Sequence, residues 1–244
     1  LIRRQRQMCI RDRVAVLLSA KSVTDAEPQH WSIFKKVCRL LTTSHHQYDV
    51  ILSEDSRFSP NTLTLEKLEQ YEVIILPENQ RLDSKAISLI PEYLEKGGKV
   101  IIVNQVDSKL SLRAGTACTV IDWEPDLSKS GWEKNEEFLD IMDNMLGKRV
   151  SEDTLPGEVG IQVWQDGSRI LVHLINYDFD LNEGVIKKEN IPVSLNLPLT
   201  KKPASVKVLS PSFGEEKITD YTFSDSSLQL VVPELKIWDI LVIE

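Results

Sequence analysis

Acidic side chains follow two apolar segments of the chain at the points where those segments end. Glu54 and Asp55 come shortly after residues 48–52, and Glu78 follows residues 71–76. If both segments are parallel strands, their carboxyl ends lie at the edge of the sheet where ligands bind in α/β folds. Glu54 and Glu78 are therefore candidate ligand-binding residues, although solvated loop acids account for the same pattern.

Aromatic side chains in the second half of the chain could bind sugars, because an exposed aromatic ring offers a flat apolar face beside a polar edge. The residues concerned are Trp164, Tyr177, Phe179, Tyr221 and Trp238. Trp238 alternates with Ile240 and Val242, which favours packing in a core. Trp164 alternates with polar Gln162, so core packing and ligand binding both stay open for it. Trp164 and Tyr177 are the candidate sugar-binding residues.

The sequence predicts no catalytic nucleophile. A nucleophile elbow needs Cys or Ser between glycines on a strained turn after a strand. Residues 104–108 (NQVDS), which follow the predicted strand 99–103, lack that pattern. Cys118 lies later, in a short predicted strand, and we interpret it as a buried structural thiol.

No cofactor or metal motif is present either. Residues 19–26 (SAKSVTDA) contain no glycine, so neither a Rossmann nor a P-loop fingerprint follows the first strand. Cys9, Cys38 and Cys118 lack metal-ligand spacing. A single bridge between Cys38 and Cys118 stays open. We expect no cofactor and no metal site.

The histidines have structural interpretations. His45 and His46 fall just past the end of a predicted helix, where a cation interacts well with the helix dipole. His173 aligns with Leu171 and Ile175 in a segment that is apolar on both faces. A hydrogen-bonded core histidine is therefore expected at position 173.

Composition limits the class of protein. The chain has 244 residues, 41% of them hydrophobic and 27% charged, and a net charge of −8. This length favours two domains, and the acidic balance argues against nucleic acid as a partner. No apolar run approaches the roughly 18 residues of a membrane helix, so no membrane partner is expected. The sparse cysteines leave the cellular compartment open.

The first thirteen residues differ from the rest. They contain five arginines and one aspartate, so the remaining residues hold 24 basic and 36 acidic side chains. The stretch QRQMCIRDR (5–13) resembles translated read-through of a sequencing adapter at the ends of metagenomic gene models. That resemblance implies an artefactual or disordered segment 1–13 and a gene truncated upstream of Val14. A disordered native arm is the alternative.

The first half of the chain alternates between apolar strands and amphipathic helices. Predicted strands cover residues 14–19, 48–52, 71–76, 99–103 and 116–120, and predicted helices cover 30–43, 63–70, 84–96 and 136–146. Uninterrupted apolar runs are typical of strands buried on both faces of a parallel sheet. The alternation predicts a doubly wound, flavodoxin-like α/β domain over residues 14–150.

The second half changes to short strands after a linker at residues 151–157. Predicted strands cover residues 160–165, 169–177, 191–197, 205–209, 219–223, 227–232 and 236–243. Asp166 and Gly167 predict a type I′ hairpin between the first two. The pattern favours an all-β immunoglobulin-like sandwich, with a jelly roll as the other possibility, over residues 151–244.

Two stretches of the α/β half resemble a known family. The sequence from YEVIILPE (71–78) through LIPEYLEKGGKVIIV (89–103) is similar to the class I glutamine-amidotransferase-like domain of β-galactosidase-type glycoside hydrolases. That domain follows the catalytic barrel and is often called the trimerisation domain. The resemblance covers residues 14–103. It implies a domain without a nucleophile that supports oligomerisation.

The β half resembles the C-terminal domain of the same enzymes. Its marks are ILVHLINYD (170–178), IPVSLNLP (191–198), VKVLSP (206–211) and LVVPELKIWDILVIE (230–244). Together the resemblances imply a non-catalytic accessory and oligomerisation region of a glycoside hydrolase. The expected partners are an upstream catalytic barrel, further copies of the chain and an oligosaccharide. A stand-alone carbohydrate-binding protein and a divergent amidotransferase-like enzyme are the alternatives.

Overall fold

The chain folds into two compact units. The computed structural model describes residues 14–25, 28–53, 62–112, 117–123, 136–146, 149–152, 154–197 and 199–244. Within these ranges, the α/β unit comprises residues 14–41 and 48–146, and the β unit comprises residues 42–47 and 149–244. The predicted adapter-derived or disordered segment 1–13 lies outside the described residues.

The α/β unit alternates strands and helices around one parallel sheet, as the sequence predicted. Its elements are β1 (Val14–Ser19), α1 (Ala20–Thr24), α2 (Pro28–Thr43), β2 (Tyr48–Ser53), α3 (Leu65–Leu68), β3 (Val73–Asn79), α4 (Ser84–Glu95), β4 (Lys99–Val106), β5 (Cys118–Ile121) and α5 (Glu136–Leu146). The strands pair in the order β2-β1-β3-β4-β5. All four pairings are parallel.

The central strands β1, β3 and β4 carry long apolar runs because both faces of the sheet are covered there. Val14 and Val16 belong to an apolar cluster that also contains residues of α2 and α5. Ala15 and Leu17, on the opposite face of β1, belong to a second cluster with residues of α3 and α4. Alternate side chains of a strand point to opposite faces, so one strand contributes to two cores. None of the helices in the described ranges has the length and apolarity to cross a bilayer.

The ends of α4 are set by local residues. The Asp83 carboxylate caps the helix by accepting hydrogen bonds from the backbone N–H of Lys85 at 2.8 Å and of Ala86 at 3.1 Å. The helix continues through Pro91, at the cost of one internal hydrogen bond. Gly97 has a φ of 92°, the left-handed conformation that ends helices.

The β unit consists of antiparallel sheets. Its strands are β6 (Val159–Asp166), β7 (Arg169–Asn176), β8 (Phe179–Asp180), β9 (Gly184–Val185), β10 (Lys188–Asn196), β11 (Val206–Ser210), β12 (Gly214–Lys217), β13 (Tyr221–Ser224), β14 (Ser227–Leu235) and β15 (Trp238–Ile243). The larger sheet has the order β12-β11-β15-β7-β6, and a smaller one has the order β10-β14-β13. The β8–β9 hairpin and β12 were not predicted.

The turn between β6 and β7 corrects one prediction. Asp166 pairs with Arg169, so Gly167 and Ser168 form the two-residue turn. Gly167 has a φ of 64°, whereas Ser168 is not among the residues with positive φ. A type I′ turn needs positive φ at both positions, so that prediction was wrong.

The two faces of the larger sheet differ sharply. Val172 and Leu174 of β7, with Leu241 and Ile243 of β15, point into the buried core of the β unit. The alternate residues point outward, and the surface that they form is called the outer face. The outer-facing residues of the three strands β6, β7 and β15 include Gly160, Gln162, Trp164, Leu171, His173, Ile175, Trp238, Ile240 and Val242.

One carboxyl group lies on the inner side of this sheet. The Asp239 side chain is 1% exposed, and neither of its oxygens makes a hydrogen bond of regular geometry. Burial raises the pKa of Asp239 above the usual range of an aspartate; the nearby Ser210 hydroxyl lowers it in part, and the Glu234 charge raises it. The charged form of Asp239 is therefore unfavourable in the folded chain.

Replacing Asp239 with Asn should stabilise the β unit at neutral pH. Because the folded-state pKa is raised, protonation of Asp239 favours the fold below the unfolded-state pKa, and this stability is lost as pH rises through the folded-state pKa. Asp239→Asn removes the charge, so its gain in melting temperature should be present at pH 7 and should shrink near pH 3. Thermal unfolding of the full chain at several pH values measures this. The exposed Asp220→Asn is the control, and an equal gain at every pH would contradict the prediction.

Candidate functional site

The carboxyl ends of the parallel strands meet at one edge of the α/β unit. Ser19 ends β1, Ser53 ends β2, Glu78 lies near the end of β3 and Asn104 near the end of β4. This is the edge at which the sequence predicted ligand binding by Glu54 and Glu78. Glu54 and Asp55 lie outside the described residues.

Glu78 is not a solvated loop acid. Its side chain is 4% exposed, and its Oε1 accepts a hydrogen bond from Gln80 Nε2 at 2.6 Å. Its backbone has a φ of 48°, where the register between β3 and β4 also shifts. A non-glycine residue in this conformation is strained and is held by its surroundings. The interpretation of Glu78 as a surface carboxylate was therefore wrong.

The loop that follows Glu78 is closed by buried hydroxyl groups. The hydroxyls of Ser19 and Ser22 donate to the Arg81 carbonyl at 2.6 and 2.8 Å, and the Arg81 N–H donates to Ser22 Oγ at 3.2 Å. Both serines are fully buried. These two buried serines satisfy both polar groups of the Arg81 backbone.

Two aspartates complete this arrangement. Asp107 Oδ2 accepts a hydrogen bond from the Leu82 N–H at 2.9 Å, and the Asp107 N–H donates to the Asn79 carbonyl at 2.7 Å. Ser53 donates from its hydroxyl to Asp83, the residue that caps α4. In this article the edge network means Ser19, Ser22, Ser53, Asp83 and Asp107. Its polar atoms hold the backbone of residues 79–86.

Asn104 follows the apolar part of β4, at the position where a nucleophile elbow would carry its Cys or Ser. Its φ is 62°, so the backbone is in the strained left-handed region. Its carbonyl Oδ1 accepts a hydrogen bond from the Trp123 N–H at 2.6 Å, which links the ends of β4 and β5. A carboxamide occupied in this way cannot serve as an acyl-transfer nucleophile.

The two cysteines in the described ranges do not supply a nucleophile either. Cys118 is buried among apolar residues in β5, and burial raises its pKa. A thiol with a raised pKa is a poor nucleophile at neutral pH, so the structural interpretation of Cys118 is confirmed. Neither Cys38 nor Cys118 forms a disulfide, and the two pack against different apolar clusters. Across the described ranges, no three His, Cys, Asp or Glu side chains converge as a metal site.

The histidine predictions need correction. His45 is 1% exposed, and its Nε2 lies 3.0 Å from the Val159 carbonyl and 3.3 Å from that of Pro156. An imidazole nitrogen facing two carbonyl oxygens acts as a donor, so His45 supports the backbone of the β unit and does not cap α2. His173 is half-buried on the outer face, not in the core.

Trp164 and Tyr177 both belong to the outer face of the larger sheet. A Cβ on Gly160 would lie 2.5 Å from Tyr177 Cε2, so the Tyr177 ring lies directly over Gly160. Gly160 and Trp164 are four residues apart on one side of β6, which is about 13 Å along a strand. Tyr177 is 42% exposed, and Trp164 is less exposed than Tyr177. The structure thus puts these two candidates on one face.

Trp238 is the aromatic residue that sequence reasoning misplaced. As predicted, Trp238 lies on the same side of β15 as Ile240 and Val242. That side is the outer face, and Trp238 is 39% exposed. Its ring is nearly parallel to that of His173, with an interplanar angle of 15° and 5.7 Å between the centroids. Its Nε1 donates a hydrogen bond to His173 Nδ1 at 3.1 Å. The prediction that Trp238 packs in the core was wrong.

The architecture is therefore a parallel α/β unit joined to a unit of antiparallel sheets. No protein-family model matches the sequence, and no curated protein matches it. Solved structures do share the fold. The α-L-fucosidase isoenzyme 2 of Paenibacillus thiaminolyticus has a TM-score of 0.59 at 16% identity, over 95% of this chain and 48% of that protein.

Two β-galactosidases are similar in the same way. The enzyme of Bacillus circulans sp. alkalophilus has a TM-score of 0.52 at 11% identity, over 96% of this chain and 42% of that one. Gan42B, a GH42 β-galactosidase of G. stearothermophilus, has a TM-score of 0.50 at 12% identity, over 95% and 40%. The chain spans less than half of each neighbour. The predicted likeness to regions of glycoside hydrolases is confirmed at the level of fold.

Asp107 offers a direct test of the edge network. Asp107→Ala leaves the N–H of Leu82, a buried residue, without an acceptor, which should lower the free energy of unfolding by about 1–3 kcal/mol. Asp107→Asn retains one acceptor oxygen and should cost less. Urea denaturation measures both, and the Leu82 amide should exchange hydrogen faster in Asp107→Ala. Asp122→Ala, at an exposed site in the same unit, is the control; equal stability of the two alanine variants would contradict this role of Asp107.

Proposed function

We propose that this chain is a non-catalytic accessory and oligomerisation region of a glycoside hydrolase whose catalytic barrel precedes it. The observation that carries the proposal is the fold similarity to an α-L-fucosidase and to β-galactosidases, which extends over at least 95% of this chain and under half of each of those chains. Both kinds of enzyme act on glycosidic bonds. Carbohydrate breakdown is the chemistry that they share.

The carboxyl edge of the parallel sheet supports a non-catalytic role. Hydrolysis of a glycoside needs two carboxyl groups about 5 to 10 Å apart with access to the sugar. Asp83 and Asp107 are buried and accept hydrogen bonds from backbone N–H groups, and Glu78 is buried. Asp83 and Asp107 are thus occupied in holding a loop.

The strand order supports the finer assignment of the α/β unit. The order 2-1-3-4-5 with helices on both faces is that of flavodoxin-like folds. A class I glutamine-amidotransferase-like domain would have this order, with Asn104 standing in place of the nucleophile. We assign the β unit to the immunoglobulin-like sandwiches on its two antiparallel sheets. In this proposal the chain packs against the barrel and against further copies of itself.

A second candidate function is a stand-alone carbohydrate-binding protein that uses the β unit. The observation that favours it is the exposure of Tyr177 and Trp238 on one outer face. The amidotransferase-like alternative is disfavoured by Asn104, because its side chain is not a nucleophile and its Oδ1 is already hydrogen-bonded.

The DNA upstream of the codon for Val14 distinguishes these functions. Long-read sequencing of the source sample should reveal an open reading frame that continues into a (β/α)₈ barrel with paired carboxylates. A start codon close to Val14 would overturn the proposal and leave the stand-alone binding protein as the better account.

A further inference from the structure

Two exposed aromatic rings on the outer face are each held in place by a neighbour. The Tyr177 ring lies over Gly160, where any side chain would collide with it. The Trp238 ring lies beside the nearly parallel His173 ring and is oriented by the hydrogen bond from its Nε1 to His173 Nδ1. Rings held in this way lose little conformational freedom when a ligand stacks on them.

The strand register places these rings side by side. Gly160 of β6 pairs with Ile175 of β7, and Ile175 pairs with Trp238 of β15. Gly160, which lies under the Tyr177 ring, and the backbone of Trp238 are therefore two strands apart, which is about 10 Å at the usual spacing of about 4.8 Å between strands. Ile175, which is half-buried, lies between them. The two rings and Ile175 form an apolar track across the strands.

A shallow cleft of about 210 Å³ extends this track beyond Trp238. It is lined by Leu209, Ser210, Pro211, Gly214, Trp238 and Ile240. None of these side chains carries a charge, and most of them are apolar. The cleft therefore suits a neutral ligand that has both apolar and hydroxylated surfaces.

Two ion pairs involve residues close to the track. Lys188 forms an ion pair with Asp178, which follows Tyr177 in the chain, and Lys207 lies 3.0 Å from Glu215 on the neighbouring strands β11 and β12. Charges that are neutralised in this way offer little attraction to an ionic ligand, which favours a neutral one.

We infer that this outer face binds a neutral oligosaccharide, with one pyranose ring stacked on Trp238 beside the cleft and a more distant ring stacked on Tyr177. The C–H face of a pyranose packs on an aromatic ring while its hydroxyls stay hydrated, which fits supported rings bordered by water. The inference rests on the proposed function for its ligand class. It adds a binding site to a region otherwise proposed to assist assembly.

Isothermal titration of the full chain with neutral oligosaccharides tests the inference. The probes are cellohexaose, mannohexaose and β-1,4-galactohexaose, together with the matching disaccharides and an anionic oligogalacturonide. At least one neutral hexasaccharide should bind, and the oligogalacturonide should not. Trp238→Ala should weaken hexasaccharide binding at least tenfold. Tyr177→Ala should weaken the hexasaccharide but not the disaccharide, because a disaccharide is too short to span both rings.

Matched variants keep the test independent of folding. Phe179→Ala removes a more exposed aromatic side chain from the same unit and should leave binding unchanged. Trp238→Phe retains a stacking ring and should restore part of the affinity. Gly160→Ala displaces the Tyr177 ring without removing it and should reproduce the effect of Tyr177→Ala.

Three results would overturn the inference. The chain could bind no neutral hexasaccharide, or it could bind one with an affinity that Trp238→Ala and Tyr177→Ala leave unchanged. The third is a chain that binds no sugar but self-associates through this face, so that Trp238→Ala abolishes the self-association. Failure here is distinct from failure of the proposed function. If a barrel is encoded upstream but this chain binds no sugar, only the binding face is refuted. If the chain binds sugar but a start codon lies near Val14, only the accessory role is refuted.

Discussion

The loop after β3 lies at the edge of a parallel sheet, and buried hydroxyl and carboxyl groups are the hydrogen-bond partners of its backbone. Ser22 and Asp107 provide acceptors for the N–H groups of Arg81 and Leu82, and Ser19 and Ser22 provide donors for the Arg81 carbonyl. Leaving one such group unpaired costs about 1–3 kcal/mol. The same edge is where α/β folds bind ligands. Satisfying the loop therefore occupies the hydroxyls and carboxylates that a catalytic site would need.

The β unit shows a different consequence of sheet geometry. Alternation along β15 forces Trp238 and Asp239 to opposite faces, so exposing one buries the other. The chain exposes Trp238 and buries Asp239. That choice costs the desolvation of a carboxyl group and leaves a supported indole ring on the outer face. The binding face that we infer depends on this orientation of one strand.

The elements of the α/β unit could be predicted because each depends on local composition. Apolar runs gave β1 and β4, and Asp83 and Gly97 mark the ends of α4 in sequence and structure alike. The orientation of β15 could not be predicted, because WDILVI is apolar on both sides and its polar residue points inward. The strand β12 (GEEK) is exposed and lacks any apolar residue, so no periodicity marks it. The positive φ of Glu78 and Asn104 arises at the ends of paired strands, which no local pattern reveals.

The most direct test of the central claim is a hydrolysis assay of the purified chain. Nitrophenyl α-L-fucoside, β-D-galactoside and β-D-glucoside are suitable substrates, with release of nitrophenol followed over hours. The account predicts no release above that in buffer, because Asp83 and Asp107 are occupied in the edge network and Glu78 is buried. Turnover that Glu78→Gln abolishes, with folding intact, would contradict it and would place an active centre at the carboxyl edge of the sheet.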